Sequence, residues 1–311
     1  MSPTQDKVSG SGIAFAGVAY LLWGFLPVLF FALRDSAAPE IVAWRIVLSL
    51  VFCVLLITVT RGWPRLLAIL RDRRTMLGLA LAAAFILVNW TVYVFASISG
   101  HVIEASLGYF TNPIVTVLLG VVILRERLRP MQWVALGVSV VAVLVIAVGY
   151  GAFPWVAVTL AFSFGFYGLV KKKVGPSADA LSGLTIETAV LAPAAVGALI
   201  LIGATSGLSL GALGASHALL MLSLGIATAV PLILFAAAAR RLPLVYLGLA
   251  QYLAPILQLI VGVVLLREAM PPERWLGFGI VWLALVILTV DMLMHTNRQR
   301  GVALPEATGA P

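Results

Sequence analysis

Apolar residues follow one another along the chain in long runs, separated by short polar connections. A helix needs about 20 mostly apolar residues to cross the hydrocarbon core of a membrane. Ten runs of about that length can be marked along the sequence. We therefore predict ten transmembrane helices over residues 11–33, 40–60, 75–97, 102–124, 130–149, 152–170, 181–203, 217–239, 243–266 and 273–294.

The composition supports a membrane location. Of the 311 residues 62% are hydrophobic and 10% are charged, and the mean hydropathy is +1.11. Soluble domains contain roughly 45–50% apolar and about 25% charged residues. The expected fold class is an all-α integral membrane protein. Residues 295–311 have no apolar periodicity and are expected to form a disordered cytoplasmic tail.

The distribution of Lys and Arg predicts the orientation. Cytoplasmic loops of membrane proteins carry an excess of these residues. With the N-terminus inside, three fall in outer loops, Arg45 falls within a helix, and the other sixteen are cytoplasmic. Both termini are therefore predicted to be cytoplasmic. This asymmetry also accounts for the net charge of +8, so no nucleic-acid partner is expected.

The second half of the chain is similar to the first at an offset of 142 residues. Residues 104–137 and 246–279 are identical at 12 of 34 positions, and the matches include Arg125-Glu126 with Arg267-Glu268. We expect helix-end ion pairs or caps at both places. Five helices per copy is an odd number, so the copies would be inverted, as in many secondary transporters. The predicted repeats are 11–150 and 152–294.

Several motifs are spread over residues 10–295: WRIV (44–47), Asn89-Trp90, EASLGYFTNP (104–113), LRERLRPMQW (124–133), AFSFGFYGLVKKK (161–173) and LGLAQYLAPILQLIVGVVLLRE (247–268). Together they resemble the EamA-domain transporters of the drug/metabolite transporter superfamily. The resemblance implies ten helices in two EamA repeats, a bacterial plasma-membrane location and a permease role. It implies no catalytic residues.

We single out three charged residues within predicted helices: Arg45, Glu104 and Glu187. Charges at bilayer depth are costly, so such residues are functional candidates. Arg45 and Glu104 are predicted at similar depth on the outer side, and we expect them to meet across a central cavity. Glu187 is the repeat equivalent of Arg45 near the cytoplasmic side, with Lys171–Lys173 as its nearest basic residues. A second gate and a purely structural role are both open for Glu187.

Polar residues of the fourth predicted helix recur every four positions: Glu104, Gly108, Asn112 and Thr116. This spacing predicts one face, which we expect to line a cavity. The alternative is that Glu104 only caps the helix on which it stands, near the membrane interface. Pro113 leaves a backbone carbonyl free one turn earlier, near Tyr109.

Similar polar faces occur on the third predicted helix (Asn89, Tyr93, Ser97) and on the ninth (Gln251, Pro255, Gln258). We therefore predict that a substrate or proton pathway is lined by polar residues from several helices: Arg45, Asn89, Tyr93, Glu104, Tyr109, Asn112, Glu187, Gln251 and Gln258.

The motifs restrict the class of function. No GxxxxGK[ST] occurs and no soluble domain is expected, so active transport would use an ion gradient. We expect a secondary transporter for small organic solutes, with the proton as coupling ion and with lipids as neighbours. A passive facilitator or channel stays open as an alternative.

An intramembrane lipid-modifying enzyme is disfavoured. The three His residues lie at predicted helix ends, and no HExxH or GxSxG occurs. The one cysteine, Cys53, lies in an apolar run, so an intramolecular disulfide or CxxC metal site is excluded. No catalytic residue, metal or cofactor is predicted.

Overall fold

The computed structural model describes residues 10–124, 130–150, 153–174, 177–239, 241–242 and 250–302. Its regular structure is helical, which confirms the predicted all-α class. The elements are α1 (Gly10–Ala32), α2 (Ala38–Val59), α3 (Trp63–Arg71), α4 (Arg73–Ile98), α5 (Val102–Leu124), α6 (Pro130–Tyr150), α7 (Trp155–Val174), α8 (Ala180–Thr205), α9 (Ala215–Ala239), α10 (Leu253–Ile260) with a π-helical turn at Val261–Leu265, and α11 (Pro272–Val302).

Seven of the helices in the described ranges are long and apolar enough to cross a membrane: α1, α2, α4, α5, α8, α9 and α11. Shorter apolar stretches cover Pro130–Ala142 in α6 and Leu253–Leu265 in α10 with its π turn. The protein is therefore a multi-pass helical membrane protein. Residues 243–249 of the ninth predicted helix, and the 151–152 boundary between the predicted repeats, lie outside the described residues.

A short helix, α3, forms where the sequence was interpreted only as an arginine-rich loop. Leu66 and Ile69 are buried on one side of it, whereas Arg65 and Arg71 are exposed. Pro64 lies in its first turn, where the missing N–H leaves no helical hydrogen bond unmade. An amphipathic helix of nine residues is too short to span a membrane, so it had no signal in a search for long apolar runs.

The last helix is longer than predicted. α11 continues to Val302, past His295, where the sequence predicted that a disordered tail begins. Helical hydrogen bonds are internal to the backbone, so a helix can extend beyond its apolar segment. Residues 303–311 of the predicted tail lie outside the described residues.

Each helix packs against a small number of other helices. α2 packs against α8 and α9, and α1 packs against α9 and α10. α7 packs against α4 and α5, α4 also contacts α8, α5 contacts α10, and α6 pairs with α11. The largest buried apolar cluster joins residues of α1, α2, α4, α8 and α9. A second cluster joins α5, α10 and α11.

Two glycines let helix backbones touch. A Cβ atom on Gly225 of α9 would lie 2.5 Å from the carbonyl oxygen of Leu48 on α2. A Cβ atom on Gly108 of α5 would lie 2.8 Å from the carbonyl oxygen of Ala157 on α7. Small residues at such crossings are the usual means of close helix packing in membranes. The close packing fixes the positions of polar side chains that α2, α5 and α7 carry.

Candidate functional site

Arg45 lies deep among the helices. Only 4% of its surface is exposed. Its Nε donates a hydrogen bond to Thr228 Oγ1 on α9 at 2.9 Å. Its guanidinium carbon lies 4.2 Å from the ring centroid of Trp90 and 5.4 Å from that of Phe30. Across the described ranges no carboxylate lies within 4.0 Å of the guanidinium.

These contacts compensate only part of the cost of burying a cation. Desolvating an ion in a protein costs several kcal/mol. A desolvated cation–π contact returns about 2 kcal/mol, and a hydrogen bond to a charged group returns about 1.5–3 kcal/mol. The Nη1 atom of Arg45 has no hydrogen-bond partner in the part of the chain that is described. Arg45 therefore retains both an uncompensated charge and a free donor.

Two further buried polar atoms near Arg45 have no hydrogen-bond partner among residues 10–302 as far as these are described. They are the Tyr93 hydroxyl and Gln258 Oε1. Tyr93 interacts electrostatically with Arg45, and its hydroxyl faces the Gln258 side-chain amide closely enough to interact with it, although the two do not form a hydrogen bond of regular geometry. The other end of that amide is held, because Gln258 Nε2 donates to the carbonyl oxygen of Trp23 at 3.3 Å.

Asn89 fixes the neighbouring tyrosine. The Tyr109 hydroxyl donates to Asn89 Oδ1 at 3.0 Å. Asn89 Nδ2 in turn donates to the carbonyl oxygen of Leu160 at 3.3 Å and to Ser163 Oγ at 3.2 Å. The rings of Tyr93 and Tyr109 meet edge to face with centroids 5.4 Å apart. These contacts join α4, α5 and α7.

Five of the nine predicted pathway residues thus come together. We call them the central polar cluster: Arg45, Asn89, Tyr93, Tyr109 and Gln258. The other four lie elsewhere. Glu104 and Glu187 have partners described below, Asn112 is half-buried on α5, and Gln251 is half-buried in the turn before α10.

The predicted meeting of Glu104 with Arg45 was wrong. Glu104 Oε1 accepts hydrogen bonds from the backbone N–H groups of Val156 at 2.9 Å and Ala157 at 3.4 Å. The first N–H groups of a helix have no partner within it, and a carboxylate there is favourable. Glu104 therefore caps α7, the neighbour of its own helix. The geometry thus favours a capping role over a cavity, but the capped helix is α7 and not α5, the helix that carries Glu104.

The same packing corrects the predicted polar face of α5. Gly108 lies against the backbone of α7 at Ala157, so its side of the helix is closed and does not face a cavity. Thr116 is exposed and donates to the carbonyl oxygen of Asn112 at 2.9 Å. Equal spacing on one helix could not reveal which neighbouring helix covers that face.

Glu268 makes the matching cap on α5. Its Oε1 accepts from the Val102 N–H at 2.7 Å, and its Oε2 accepts from the Ile103 N–H at 2.9 Å. Burial raises the pKa of the Glu268 carboxyl above its ordinary value, and the two backbone donors offset part of that rise. The predicted helix-end role is confirmed for Glu268, whereas its repeat equivalent, Glu126, lies outside the described residues.

Glu104→Ala is expected to lower the free energy of unfolding by about 1–2 kcal/mol, because α7 loses its cap. Glu104→Gln keeps an acceptor oxygen and is expected to cost less. Thermal unfolding in detergent measures both, with exposed Glu273→Ala as the control. A Glu104→Gln variant that is fully stable but uncoupled from a proton gradient would contradict the capping role.

Glu187 forms a buried ion pair. Only 1% of its surface is exposed. Its Oε1 lies 2.6 Å from Lys171 Nζ, and its Oε2 accepts from the Tyr167 hydroxyl at 3.3 Å. Gly183 leaves room for the ammonium group, since a Cβ atom there would lie 2.8 Å from Lys171 Nζ. The lysine run at the end of α7 therefore supplies the partner that Glu187 lacks within its own helix.

Similar proteins support a transport role. The model of the EamA-like transporter family matches residues 10–148. A protein named RarD from Streptomyces exfoliatus is 46% identical, with 97% of this chain and 96% of that protein covered. RarD from Escherichia coli K12 is 38% identical, with coverages of 94% and 98%. The chain belongs to the RarD group of the EamA-like transporter family.

Two further comparisons extend this result. YojE of Bacillus subtilis, named as an uncharacterized transporter, is 39% identical, with 93% of this EamA chain and 97% of YojE covered. A protein of known crystal structure aligns with a TM-score of 0.58 at 18% identity, and covers 91% of this chain and 99% of its own. At that identity the structural match supports the fold alone.

The sequence missed a second polar network in this EamA protein. Glu40, buried in the first turn of α2, accepts at 2.8 Å from both the N–H and the hydroxyl of Ser209. Ser36 Oγ lies 2.6 Å from Ser209 Oγ and 2.9 Å from His217 Nε2. We call these four residues the Glu40 network. Glu40 stands at the first residue of the apolar run 40–60, where a charge near the membrane interface attracts no notice in the sequence.

Proposed function

We propose that the protein is a secondary transporter that moves small organic solutes across the plasma membrane by alternating access, driven by an ion gradient. The observation that carries this proposal is the central polar cluster. Three of its buried polar atoms lack partners within the described residues, at a place where α2, α4 and α5 of the first predicted repeat meet α10 of the second. Polar groups buried in this way in membrane proteins mark solute pathways.

We also propose ten helices in two inverted repeats, with both termini cytoplasmic. The Lys and Arg distribution supports the orientation, and the helix contacts support the repeat. The proposed repeat equates α1 with α7, α2 with α8, α4 with α9 and α5 with α10. Under this exchange the packing of α1 on α9 corresponds to that of α7 on α4. The packing of α1 on α10 corresponds to α7 on α5, and α2 on α9 corresponds to α8 on α4. Inverted repeats with a central site are typical of alternating access.

Different polar contacts flank the central polar cluster along the proposed pathway. On the proposed outer side, the Glu40 network joins the start of α2 to the connection before α9. On the proposed cytoplasmic side, the Lys171–Glu187 pair joins α7 to α8. Alternating access requires one such set to open while the other stays closed.

We propose the proton as the coupling ion. Glu104 is occupied as a cap, so Glu187 is the better carboxylate for binding it. A proton on Glu187 would remove the charge that holds Lys171 and would loosen the cytoplasmic contact. Protonation would therefore favour opening on that side.

Uptake by the purified full chain in proteoliposomes tests this function. Solutes that stabilise the protein against heat are supplied outside, with and without an imposed pH gradient. Accumulation above the outside concentration, abolished by a protonophore, is the expected result. Uptake that only equilibrates the solute, whatever the gradient, would favour a passive facilitator. No uptake of any stabilising solute would overturn the transport proposal.

A further inference from the structure

The charge at the centre of the molecule points to the chemistry of the solute. Arg45 is buried, and its guanidinium has no carboxylate within 4.0 Å in the described ranges. Nε is used by Thr228, whereas Nη1 has no partner there. A structural arginine at this depth would be expected to have a counter-ion. A bound anion would supply the counter-ion that Arg45 lacks within the described residues.

The neighbouring atoms define how an anion would be held. Arg45 Nη1 is a donor without an acceptor in the part of the chain described, and the Tyr93 hydroxyl is a donor that faces the Gln258 side chain without a regular hydrogen bond to it. A carboxylate has two acceptor oxygens, so it can accept a hydrogen bond from each of these two donors. Gln258 Oε1 is an acceptor that has no regular hydrogen bond there. Once the Tyr93 hydroxyl donates to the carboxylate, Gln258 Oε1 suits an N–H or O–H group elsewhere on the solute.

The charge of the site indicates which anions it can bind. Arg45 is the charged side chain that acts on both Tyr93 and Tyr109. One positive charge balances a carboxylate. A phosphate group carries up to two negative charges at neutral pH, and the second would be buried without a partner. The site therefore fits a monoanion better than a phosphate ester.

The neighbouring aromatic rings indicate the rest of the solute. The rings of Trp90 and Phe30 flank the Arg45 guanidinium. The rings of Tyr93 and Phe30 meet with centroids 5.8 Å apart, and Tyr109 also contacts Tyr93. Ring faces and edges of this kind favour an apolar or aromatic body.

We propose that the central polar cluster binds small monocarboxylates with an apolar body, and that Arg45 Nη1 and the Tyr93 hydroxyl hold the carboxylate. This inference rests on the proposed transport function and specifies its substrate class. A solute without a negative charge would leave the Arg45 cation uncompensated, so the site discriminates against neutral analogues.

Matched pairs of probes test the assignment by thermal shift and by direct binding to the purified full chain. Each pair is a carboxylate and its isosteric amide: benzoate and benzamide, phenylacetate and phenylacetamide, hexanoate and hexanamide. At least one carboxylate is expected to stabilise the wild type while its amide does not. Arg45→Gln is expected to raise the Kd of that carboxylate about a hundredfold.

Two variants guard against misfolding and nonspecific effects. Tyr93→Phe removes a hydroxyl that has no hydrogen-bond partner in the described structure, so folding should be kept. It is expected to raise the Kd about tenfold. Arg34→Gln is the control, because Arg34 is an exposed arginine that also lies over a phenyl ring, that of Phe31 at 4.4 Å.

The outcomes separate this inference from the transport proposal. Binding of carboxylates that Arg45→Gln and Tyr93→Phe both leave unchanged would overturn the assignment. So would the absence of stabilisation by any carboxylate of the panel. A neutral solute that accumulates in proteoliposomes equally well through the wild type and the Arg45→Gln variant would also overturn it, while leaving the transporter function intact. Only the failure of all solutes to enter counts against transport itself.

Discussion

Replacing Lys171 with leucine is expected to abolish transport and to lower the free energy of unfolding by about 3 kcal/mol. Removing one partner of a buried ion pair leaves the other charge uncompensated, at a cost of about 3–5 kcal/mol. The lower end applies because the Lys171 side chain is 26% exposed, whereas Glu187 is 1% exposed. Unfolding in detergent and uptake in proteoliposomes measure the two effects.

Matched variants separate the ion pair from a general loss of positive charge. Lys173→Leu removes an exposed lysine from the same helical turn and is expected to change little. The double variant Lys171→Leu/Glu187→Leu is expected to recover most of the stability, since no charge is left buried. Transport should stay lost, because the contact can no longer form and break. Equal stability of the Lys171→Leu and Lys173→Leu proteins would refute the pair.

The helices were accessible from the sequence because each long apolar run has one stable form in a bilayer. The backbone must satisfy its own hydrogen bonds there, so a run of about 20 apolar residues forms a helix. The amphipathic helix α3 lies outside that rule. Its buried residues, Leu66 and Ile69, are only three positions apart between arginines, a pattern that the positive-inside rule already explained as a loop.

The five residues of the central polar cluster were predictable from the sequence, but the contacts that they make were not. Arg45 was identified because a charge within an apolar run has a cost that demands a reason. Its actual neighbours, Thr228 and Trp90, lie on α9 and α4. The sequence around these two residues does not indicate that they contact Arg45. Which helices meet depends on packing at residues such as Gly225, which leave only weak signals in a glycine-rich chain.

Glu104 shows where position alone is ambiguous. A carboxylate at the end of an apolar run can enter a cavity, cap its own helix or cap a neighbouring one. The sequence raised the first two possibilities, and the third is observed, because α5 packs along α7 and reaches its first turn. Glu268 does the same for α5. Two glutamates thus fix where helices begin, whereas Glu187 forms an ion pair with Lys171.

Asn89 is expected to be the residue whose loss most disturbs the geometry of the central polar cluster. Asn89→Leu keeps the size of the side chain but removes the acceptor of the Tyr109 hydroxyl and the donor to α7. A buried hydroxyl without a partner costs about 1–3 kcal/mol. We expect that loss of stability, and a fall in uptake of about tenfold or more as Tyr109 leaves its place beside Tyr93.

A double-mutant cycle shows whether the effect acts through Tyr109. In the Tyr109→Phe background no hydroxyl needs Asn89, so Asn89→Leu should cost less stability there than in the wild type. Thr91→Val on the same helix is the control, since Thr91 bonds only to the carbonyl oxygen of Leu87, one turn earlier, among the contacts described. Additive losses in the cycle would mean that Asn89 supports α7 alone. Coupled losses would mean that Asn89 holds the Tyr109 ring in the position that a bound solute contacts.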